Sequence, residues 1–480
     1  MPPGAGMLFE PCVSYHLQLM NTFDAIVIGS GQGGTPLAKK LAGAGYKTVL
    51  IEKRLVGGTC INDGCTPTKT LIGHAAIADR VRRSEEWQVF APGMTVDYEA
   101  IWKHKNKIVS QFREGAINGI EKTAGLELIY GEATFTGPNT VEVYLNTGGT
   151  ARYYAEKIYI NAGARPSIPP IPGLQGVAYL TSTTLLDLQQ IPGHLLIIGG
   201  SYIALEMAQL FHRLGSRVTV IESSPQLMPK EDADVAACIK GILQQEGIAV
   251  YTNTGIERVE KHINDGIVVY FDASAVVESV SGTHLLVAAG RTPNTDRLNI
   301  SSAGLVLDNK GFIQVNDNLE TNVPGIFALG DVKGGPAFTH VAYNDYVVIV
   351  RNLLENKQLS IKGRITPYCM FTDPQLGRVG LSEKEAHDKG IPVTVYILPM
   401  TKVARAIEAG FTRGMMKAVV HKQTGVLLGA AIIGEQGGET ITVLQMAIQA
   451  GLTWEDLRYM MFAHPLYAES INNLFMQQGQ

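Results

Sequence analysis

Short apolar runs closed by glycines dominate the hydrophobic pattern, and they recur at one spacing. Phe23-Asp24-Ala25-Ile26-Val27-Ile28 has the composition of a strand buried on both faces. Gly29-Ser30-Gly31-Gln32-Gly33-Gly34 then opens a helix reaching about Ala44, and residues 47–52 read as the next strand. The same order returns later, with a strand at 195–198, a turn at 199–204 and a strand at 217–221. Gly29 to Glu52 and Gly199 to Glu222 are equally spaced, so the pattern predicts a repeated βαβ module. Between the modules lie a helical stretch at 110–124 and strands at 126–136 and 141–145. Residues 158–166 read as a strand leading into a crossover, followed by a proline-rich connector at 166–172. Residues 286–294 should return the chain to the first unit, and 321–331 form a strand ending on Gly330-Asp331. From about Lys362 the pattern changes to short strands (368–372, 394–398, 413–421, 427–433) and then helices (437–450, 453–459 and the C-terminus), an α+β unit.

A chain of 480 residues exceeds one core, so two to four domains are expected. A net charge of −4 leaves no basic footprint for nucleic acid or for a membrane surface. No apolar run reaches the ~18–20 residues that cross a bilayer. The five cysteines (Cys12, Cys60, Cys65, Cys238, Cys369) are too sparse for a secreted disulfide scaffold, which favours a reducing cytoplasm. The first twenty residues match no targeting pattern and read as a floppy extension, or as sequence upstream of a start at Met20, with Cys12 incidental.

Gly29, Gly31 and Gly34 satisfy the G-x-G-x-x-G dinucleotide fingerprint, with Glu52 placed to accept from a ribose hydroxyl. In the second module Ser201 and Ala204 replace two glycines, and Glu222 stands where Glu52 does. Two such modules imply two dinucleotides. Asp331, at a strand's C-terminal edge, suits a sugar-like hydroxyl chain. Cys60 and Cys65 lie in Gly57-Gly58-Thr59-Cys60-Ile61-Asn62-Asp63-Gly64-Cys65-Thr66-Pro67-Thr68-Lys69. A regular helix would hold their Cα atoms ~8.6 Å apart, against about 4.4–6.8 Å for a disulfide. Bridging them needs a distorted turn, which Gly64 permits. The spacing alone leaves a structural disulfide or two unrelated core thiols open; the position just after a dinucleotide module favours electron passage between cofactor and sulfur. Two sulfurs without further ligands do not make a zinc site, so no metal is expected. His464-Pro465-Leu466-Tyr467-Ala468-Glu469 pairs an imidazole with a carboxylate, with Pro465 expected at the first position of a helix.

Taken in order, these motifs from Phe23 onward resemble the FAD-dependent pyridine nucleotide–disulfide oxidoreductases, which include dihydrolipoamide dehydrogenase, glutathione reductase and mercuric reductase. The resemblance implies an α/β fold of two Rossmann-like dinucleotide-binding domains (FAD and NAD) plus a C-terminal α+β dimerisation domain. Residues 1–21 would be a disordered or extended tail. FAD binding would use 22–165 and 291–361, NAD(P) binding 166–290 and dimerisation 362–480. By motif, Cys65 would face the flavin and Cys60 would attack the substrate across a redox-active disulfide. Lys69 would lie near the flavin and pair with Glu206, and Tyr202 would cover the nicotinamide side. Glu52 would hold the adenosine ribose, Ala133 the adenine and Asp331 the ribityl chain, with Phe338 and Thr339 along the pyrimidine edge. Lys53, Gly58, Thr59, Ala162, Gly163, Arg291 and Gly330 complete the implied FAD set. Gly199, Ser201, Tyr202, Ile203, Glu206, Glu222 and Gly290 form the implied NAD set. His464 and Glu469 would be the acid–base pair, serving the cysteines of a partner subunit in a homodimer with shared active sites. Glu222 favours NADH, because a carboxylate accepts from a 2′-hydroxyl and repels a 2′-phosphate.

The closest likeness is to the bacterial branch that protects against reactive chlorine species and hypothiocyanous acid, members of which also reduce copper(II). Residues 399–406 look like mercuric reductase, yet its vicinal C-terminal cysteines are absent. The expected activity is reduction of a thiol-reactive oxidant, disulfide or soft metal ion. Dihydrolipoamide dehydrogenase is the alternative enzyme, and a non-catalytic redox sensor or metal binder the alternative of another class. Asp63 replaces an apolar residue usual between the cysteines and is expected to raise the thiol pKa, so that Asp63→Val would lower that of Cys60. His340 and Tyr467 are candidates for the substrate entrance or for packing.

Overall fold

The computed structural model describes residues 20–262, 266–273 and 276–479. Of the expected tail, residues 1–19 with Cys12 lie outside them. Asn21 and Thr22 already pair with Tyr153 and Tyr154, ahead of the expected start of order at Phe23, because the sheet edge offers them open backbone groups.

The first sheet has a parallel heart in the order Leu126–Gly137, Thr48–Glu52, Ala25–Ile28, Lys157–Ile160, Ile326–Ala328. Ala25–Ile28 and Thr48–Glu52 are buried at every position, which is why they read as continuous apolar runs. The long strand Leu126–Gly137 leaves this heart in its second half and continues into an antiparallel meander with Thr140–Leu145 and Thr150–Tyr154. The second sheet repeats the order with Ala249–Tyr251, Arg217–Ile221, His194–Ile198 and His284–Val287, all parallel, with Tyr179–Leu180 at its edge. A three-stranded antiparallel sheet (Gly255–Lys261, Ile267–Ala273, Val276–Gly282) packs beside it. The chain enters and leaves this unit through Ala164–Pro166 and Arg291–Pro293, which pair with each other antiparallel.

The third sheet is antiparallel, in the order Tyr368–Met370, Gln375–Gly380, Leu427–Gly434, Met415–His421, Val393–Pro399, and is backed by helix Gly437–Ala450. Strand Gln375–Gly380 has no counterpart in the sequence reading. It carries Gly377 because a Cβ there would lie 2.4 Å from the Gly437 carbonyl oxygen. Helix Tyr98–Glu121 also begins well before the expected 110. Asp97 caps it by accepting from the Ala100 N–H at 3.0 Å, and Lys105, in an otherwise polar run, is buried with Nζ on the Leu186 carbonyl at 2.8 Å.

Buried ion clusters lock the three units together. Arg213, 2% exposed, reaches Asp79, Glu246 and Asp373, while Lys417 reaches Asp232, Asp234 and Glu383. Removing one partner from such a cluster strands a buried charge, so the units are held in a specific relation.

Candidate functional site

The C-terminal edge of the first parallel sheet opens into a cavity of about 1240 Å³. Its floor is the fingerprint turn, where every missing side chain has a reason. Gly29 has φ +98°, and a Cβ there would lie 2.4 Å from the Asn161 carbonyl; a Cβ on Gly34 would lie 2.0 Å from the Gly29 carbonyl. Gly58 presses on Gly31, with 2.8 Å from its would-be Cβ to the Gly31 Cα. Asn161 locks the turn: its Oδ1 accepts from the Gly34 N–H at 2.9 Å and its Nδ2 donates to the Leu329 carbonyl at 2.8 Å. Asn161 falls within the 158–166 stretch read only as a strand and crossover; its place in the apolar run before Ala162-Gly163 was the available signal.

Glu52 is buried at the end of its strand, with Oε2 accepting from the Ser30 N–H (3.0 Å) and hydroxyl (2.6 Å). Asp331 lies across the cavity, 3.3 Å from Arg291 Nη2; burial raises its pKa, and Arg291 opposes that shift. Arg291 Nε is buried without a partner, an open donor in the wall. Lys53, Thr59, Ala133, Ala162, Gly163, Phe338 and Thr339 also line the cavity. Gly34 and Gly330 lie behind the wall; Gly330 has φ +74°, and a Cβ there would meet Asn161 Nδ2 at 2.8 Å. Turns without Cβ atoms, an acid at each end and an unsatisfied guanidinium N–H fit an extended, hydroxyl-bearing dinucleotide such as FAD.

Cys60 sits in the short helix Gly58–Asn62, and Cys65 begins helix Cys65–Arg82. The break between them falls at Asp63 and Gly64. A Cβ on Gly64 would lie 2.9 Å from the Thr59 carbonyl oxygen, so the close turn needs glycine. Both cysteines are free thiols that line the cavity. Cys65 is lowered to about 6, first because the Cys60 thiol donates to it, with Thr339 and Lys69 adding and burial opposing. Cys60 is raised by the same hydrogen bond and by burial. A helix N-terminus beneath Cys65 favours the same asymmetry. Thr339 Oγ1 stands 3.4 Å from Cys65 Sγ, at the start of helix Thr339–Glu355. Arg54 pairs with the Asp63 carboxylate, and the leading influence on each sulfur is the other.

Lys69, one helical turn after Cys65, places Nζ 2.7 Å from Glu206 Oε2. Glu206 Oε1 accepts from the Phe371 N–H at 2.8 Å, and the Phe371 ring lies 4.8 Å beneath Lys69 Nζ. Phe371 was missed in the sequence because it comes from the third sheet. Tyr202, Ile203 and Cys369 also line this end. Burial pushes the Tyr202 hydroxyl up to about 12 and the Cys369 thiol up to about 12. The Tyr202 ring packs on Phe338 at 5.5 Å, and Phe338 stacks on His340 and Tyr368. His340 lines the cavity, donating from Nε2 to the Pro367 carbonyl at 2.7 Å; Tyr467 is buried in the third unit's core.

Gly199, Ser201, Glu222 and Gly290 lie outside this cavity, in the second module. Gly199 has φ +114°, and a Cβ there would lie 2.5 Å from the Ala288 carbonyl. Gly200, which the reading passed over, has the Glu222 Cβ 2.9 Å from its own would-be Cβ. Buried Glu222 accepts from the Ser224 N–H at 2.6 Å through Oε1. Gly290 has φ +132° as the chain crosses back.

His464 Nδ1 donates to Glu469, 3.0 Å from Oε2, which leaves Nε2 facing outward. The His464 side chain is 71% exposed, and neither residue lines the cavity of its own chain. Pro465 does not begin a helix as expected. The His464–Pro465 peptide is cis, residues 464–469 turn, and the helix starts only at Ser470, with Tyr467 and Ile471 anchored in the core. Among the described residues no cluster of three or more His, Cys, Asp or Glu could hold a metal, and no helix is long and apolar enough to cross a membrane.

Residues 23–345 match the family model described as pyridine nucleotide-disulphide oxidoreductase, and residues 366–475 match the dimerisation domain of the same family. The chain is 36% identical to the probable pyridine nucleotide-disulfide oxidoreductase RclA of Escherichia coli (strain K12), over 95% of this chain and 99% of the relative. It is 36% identical to mercuric reductase of Streptomyces lividans (92% and 93% covered) and 33% identical to dihydrolipoyl dehydrogenase of Geobacillus stearothermophilus (93% and 94% covered). A solved structure described as the Cu(II) complex of HOCl-induced flavoprotein disulfide reductase RclA from Escherichia coli aligns with TM-score 0.86 at 35% identity, over 95% of this chain and 99% of that one.

Proposed function

The chain belongs to the pyridine nucleotide-disulphide oxidoreductases, FAD-dependent enzymes that work with a pyridine nucleotide, and on that footing we propose that it is an NADH-preferring cytoplasmic reductase of small thiol-reactive oxidants. Hypothiocyanous acid and related reactive chlorine products, or copper(II), are the substrates of choice. The similarity to RclA, whose structure is described as HOCl-induced and as a Cu(II) complex, supports this choice. In this reading residues 22–165 and 291–361 bind FAD, 166–290 bind NADH, and 362–480 join two copies.

The observation that carries the reading is the polarised thiol pair inside a glycine-floored cavity. Bound FAD supplies the two-electron relay between nicotinamide and sulfur. Glu52 and Asp331 hold hydroxyls at opposite ends of the cavity. The Lys69–Glu206 pair keeps a cation beside the reacting edge without leaving it free. Tyr202 shields the nicotinamide side until the coenzyme enters, and Glu222 selects a free 2′-hydroxyl. Cys65, already low, stays as thiolate; Cys60, raised, needs a base before it can attack. His464 of the partner subunit, oriented by its carboxylate, fills that need. Two copper(II) ions would each take one electron from the pair, whereas with hypothiocyanous acid the Cys60 sulfur attacks the oxidant's sulfur and expels hydroxide, which takes the proton and leaves as water. Cys65 displaces the group left on Cys60, closing the S–S bridge as the pair gives up two electrons.

The test is NADH oxidation by the FAD-loaded protein against hypothiocyanous acid, copper(II), mercury(II), lipoamide and glutathione disulfide. We expect hypothiocyanous acid or copper(II) to turn over fastest and Cys60→Ser to abolish the reaction. Fast reduction of NAD by dihydrolipoamide, with none of the oxidants turned over, would overturn this in favour of a dihydrolipoamide dehydrogenase.

A further inference from the structure

An ion pair joins the turn between the two thiols to the end of strand Thr48–Glu52. The Arg54 guanidinium straddles the Asp63 carboxylate, with Nη1 3.3 Å from Oδ1 and Nη2 on Oδ2. Asp63 caps the C-terminal end of the short Cys60 helix and stands two residues before Cys65. Its side chain is 13% exposed, whereas Arg54 is 52% exposed, so the carboxylate is largely shut off from water and the cation reaches in to meet it. Both residues line the cavity that holds the thiols. The Arg54 backbone N–H also donates to Glu52 Oε1 at 2.8 Å, on the acid at the far end of the fingerprint.

A carboxylate three residues after one cysteine and two before the other, if unpaired, disfavours a negative sulfur by like-charge repulsion. A guanidinium cancels that field better than an ammonium, because its planar fork takes both oxygens at once and fixes their plane.

We infer that Arg54 is a positioning residue for the thiol pair: it neutralises Asp63 and ties the thiol-bearing turn to the strand end that carries Glu52. The inference rests on Cys60 and Cys65 being the redox pair proposed above. It assigns a specific job to a residue nine positions upstream of Asp63, and it makes the charge on Asp63 tolerable where an apolar side chain would otherwise serve.

The test uses full-length, FAD-loaded protein reduced with a phosphine and desalted, with no NADH or oxidant present. Alkylation of Cys65 by iodoacetamide is followed against pH by peptide mass spectrometry, and visible flavin absorbance verifies that each variant keeps its fold. Arg54→Met should raise the Cys65 midpoint by about one pH unit, or about tenfold slower alkylation below that midpoint. Adding Asp63→Asn to Arg54→Met should return the midpoint to the wild-type value, and Arg54→Lys should fall between. Asp63→Asn alone should leave the midpoint unchanged or lower it. An unmoved midpoint in Arg54→Met overturns the inference, as does a double variant as displaced as the single one, or a higher midpoint in Asp63→Asn alone. The last result is readable even if Arg54→Met does not fold. Because no turnover is measured, failure here leaves the proposed activity standing, and an inactive enzyme leaves this test readable.

Discussion

Replacing Asn161 by alanine removes the one side chain that clips the fingerprint helix to two strand ends. Its Oδ1 takes the Gly34 N–H, one of the donors a helix start cannot satisfy internally, and its Nδ2 serves the Leu329 carbonyl. Asn161 is 7% exposed, so both orphaned groups would be left without ready access to water. Each unsatisfied buried backbone group costs about 1–3 kcal/mol, so the variant should lose roughly 2–6 kcal/mol of stability. The loss should concentrate where FAD is expected to sit, because Gly31, Gly33, Gly34 and Gly330 all pack against the Asn161 amide. Urea unfolding followed by flavin release should show a lower midpoint at unchanged slope, together with weaker FAD retention. Asn161→Asp keeps the acceptor for Gly34 but turns a carboxylate oxygen against the Leu329 carbonyl, so it should not rescue. A midpoint within about 0.5 kcal/mol of wild type, the usual spread for inconsequential substitutions, would refute this role.

The remaining predictions concern the thiols and their partners. In the reduced protein, Cys65 alkylation should rise through pH about 6 while Cys60 stays protonated; equal reactivity of the two at pH 7 would contradict the polarised pair. A thiol lowered on folding stabilises the protein above its unfolded pKa of about 8.5 and loses that contribution as pH falls toward 6. The wild-type protein should therefore lose its stability margin over Cys65→Ser across that interval, as thermal melts at stepped pH would report. Lys69→Met strands the Glu206 carboxylate on the Phe371 N–H alone and should cost roughly 1–3 kcal/mol, discounted because Lys69 is partly exposed. It should also move Cys65 alkylation to higher pH. Glu222→Ala should narrow the preference for NADH over NADPH, read from kcat/KM with each coenzyme. Co-expressing His464→Gln with Cys60→Ser chains should regain roughly a quarter of wild-type activity through mixed dimers with one intact site; no recovery would remove the shared-site arrangement.

Much of the site was legible because it depends on backbone approach, which leaves a mark in the sequence. Gly29, Gly31 and Gly34 stood out by their fingerprint spacing, and each lies where a Cβ would sit 2.0–2.9 Å from a neighbouring oxygen. Lys69 and Glu206, 137 residues apart, could be paired only through family likeness, because no local spacing encodes that meeting. Gln375–Gly380 escaped notice because Gly377 and the buried Arg378 interrupt the apolar signal that a central strand normally carries. The start of helix Tyr98–Glu121 was hidden in a run of charge, since Lys105 is buried by a carbonyl partner in a distant segment. Arg54 drew no attention, because its meaning depends on Asp63 folding back toward it. The His464–Glu469 pair was readable as a pair, but the sequence did not show that residues 464–469 turn and that the helix starts only at Ser470.

The antiparallel pairing of Ala164–Pro166 with Arg291–Pro293 means that the second nucleotide unit departs from its host and rejoins it at adjacent points, separated by a single inter-strand spacing of about 4.8 Å. A cassette with such closely set ends can be exchanged, lengthened or lost without re-threading the sheet around it. Insertions or exchanges between those two strands therefore leave the surrounding sheet and its thiol-bearing cavity in register.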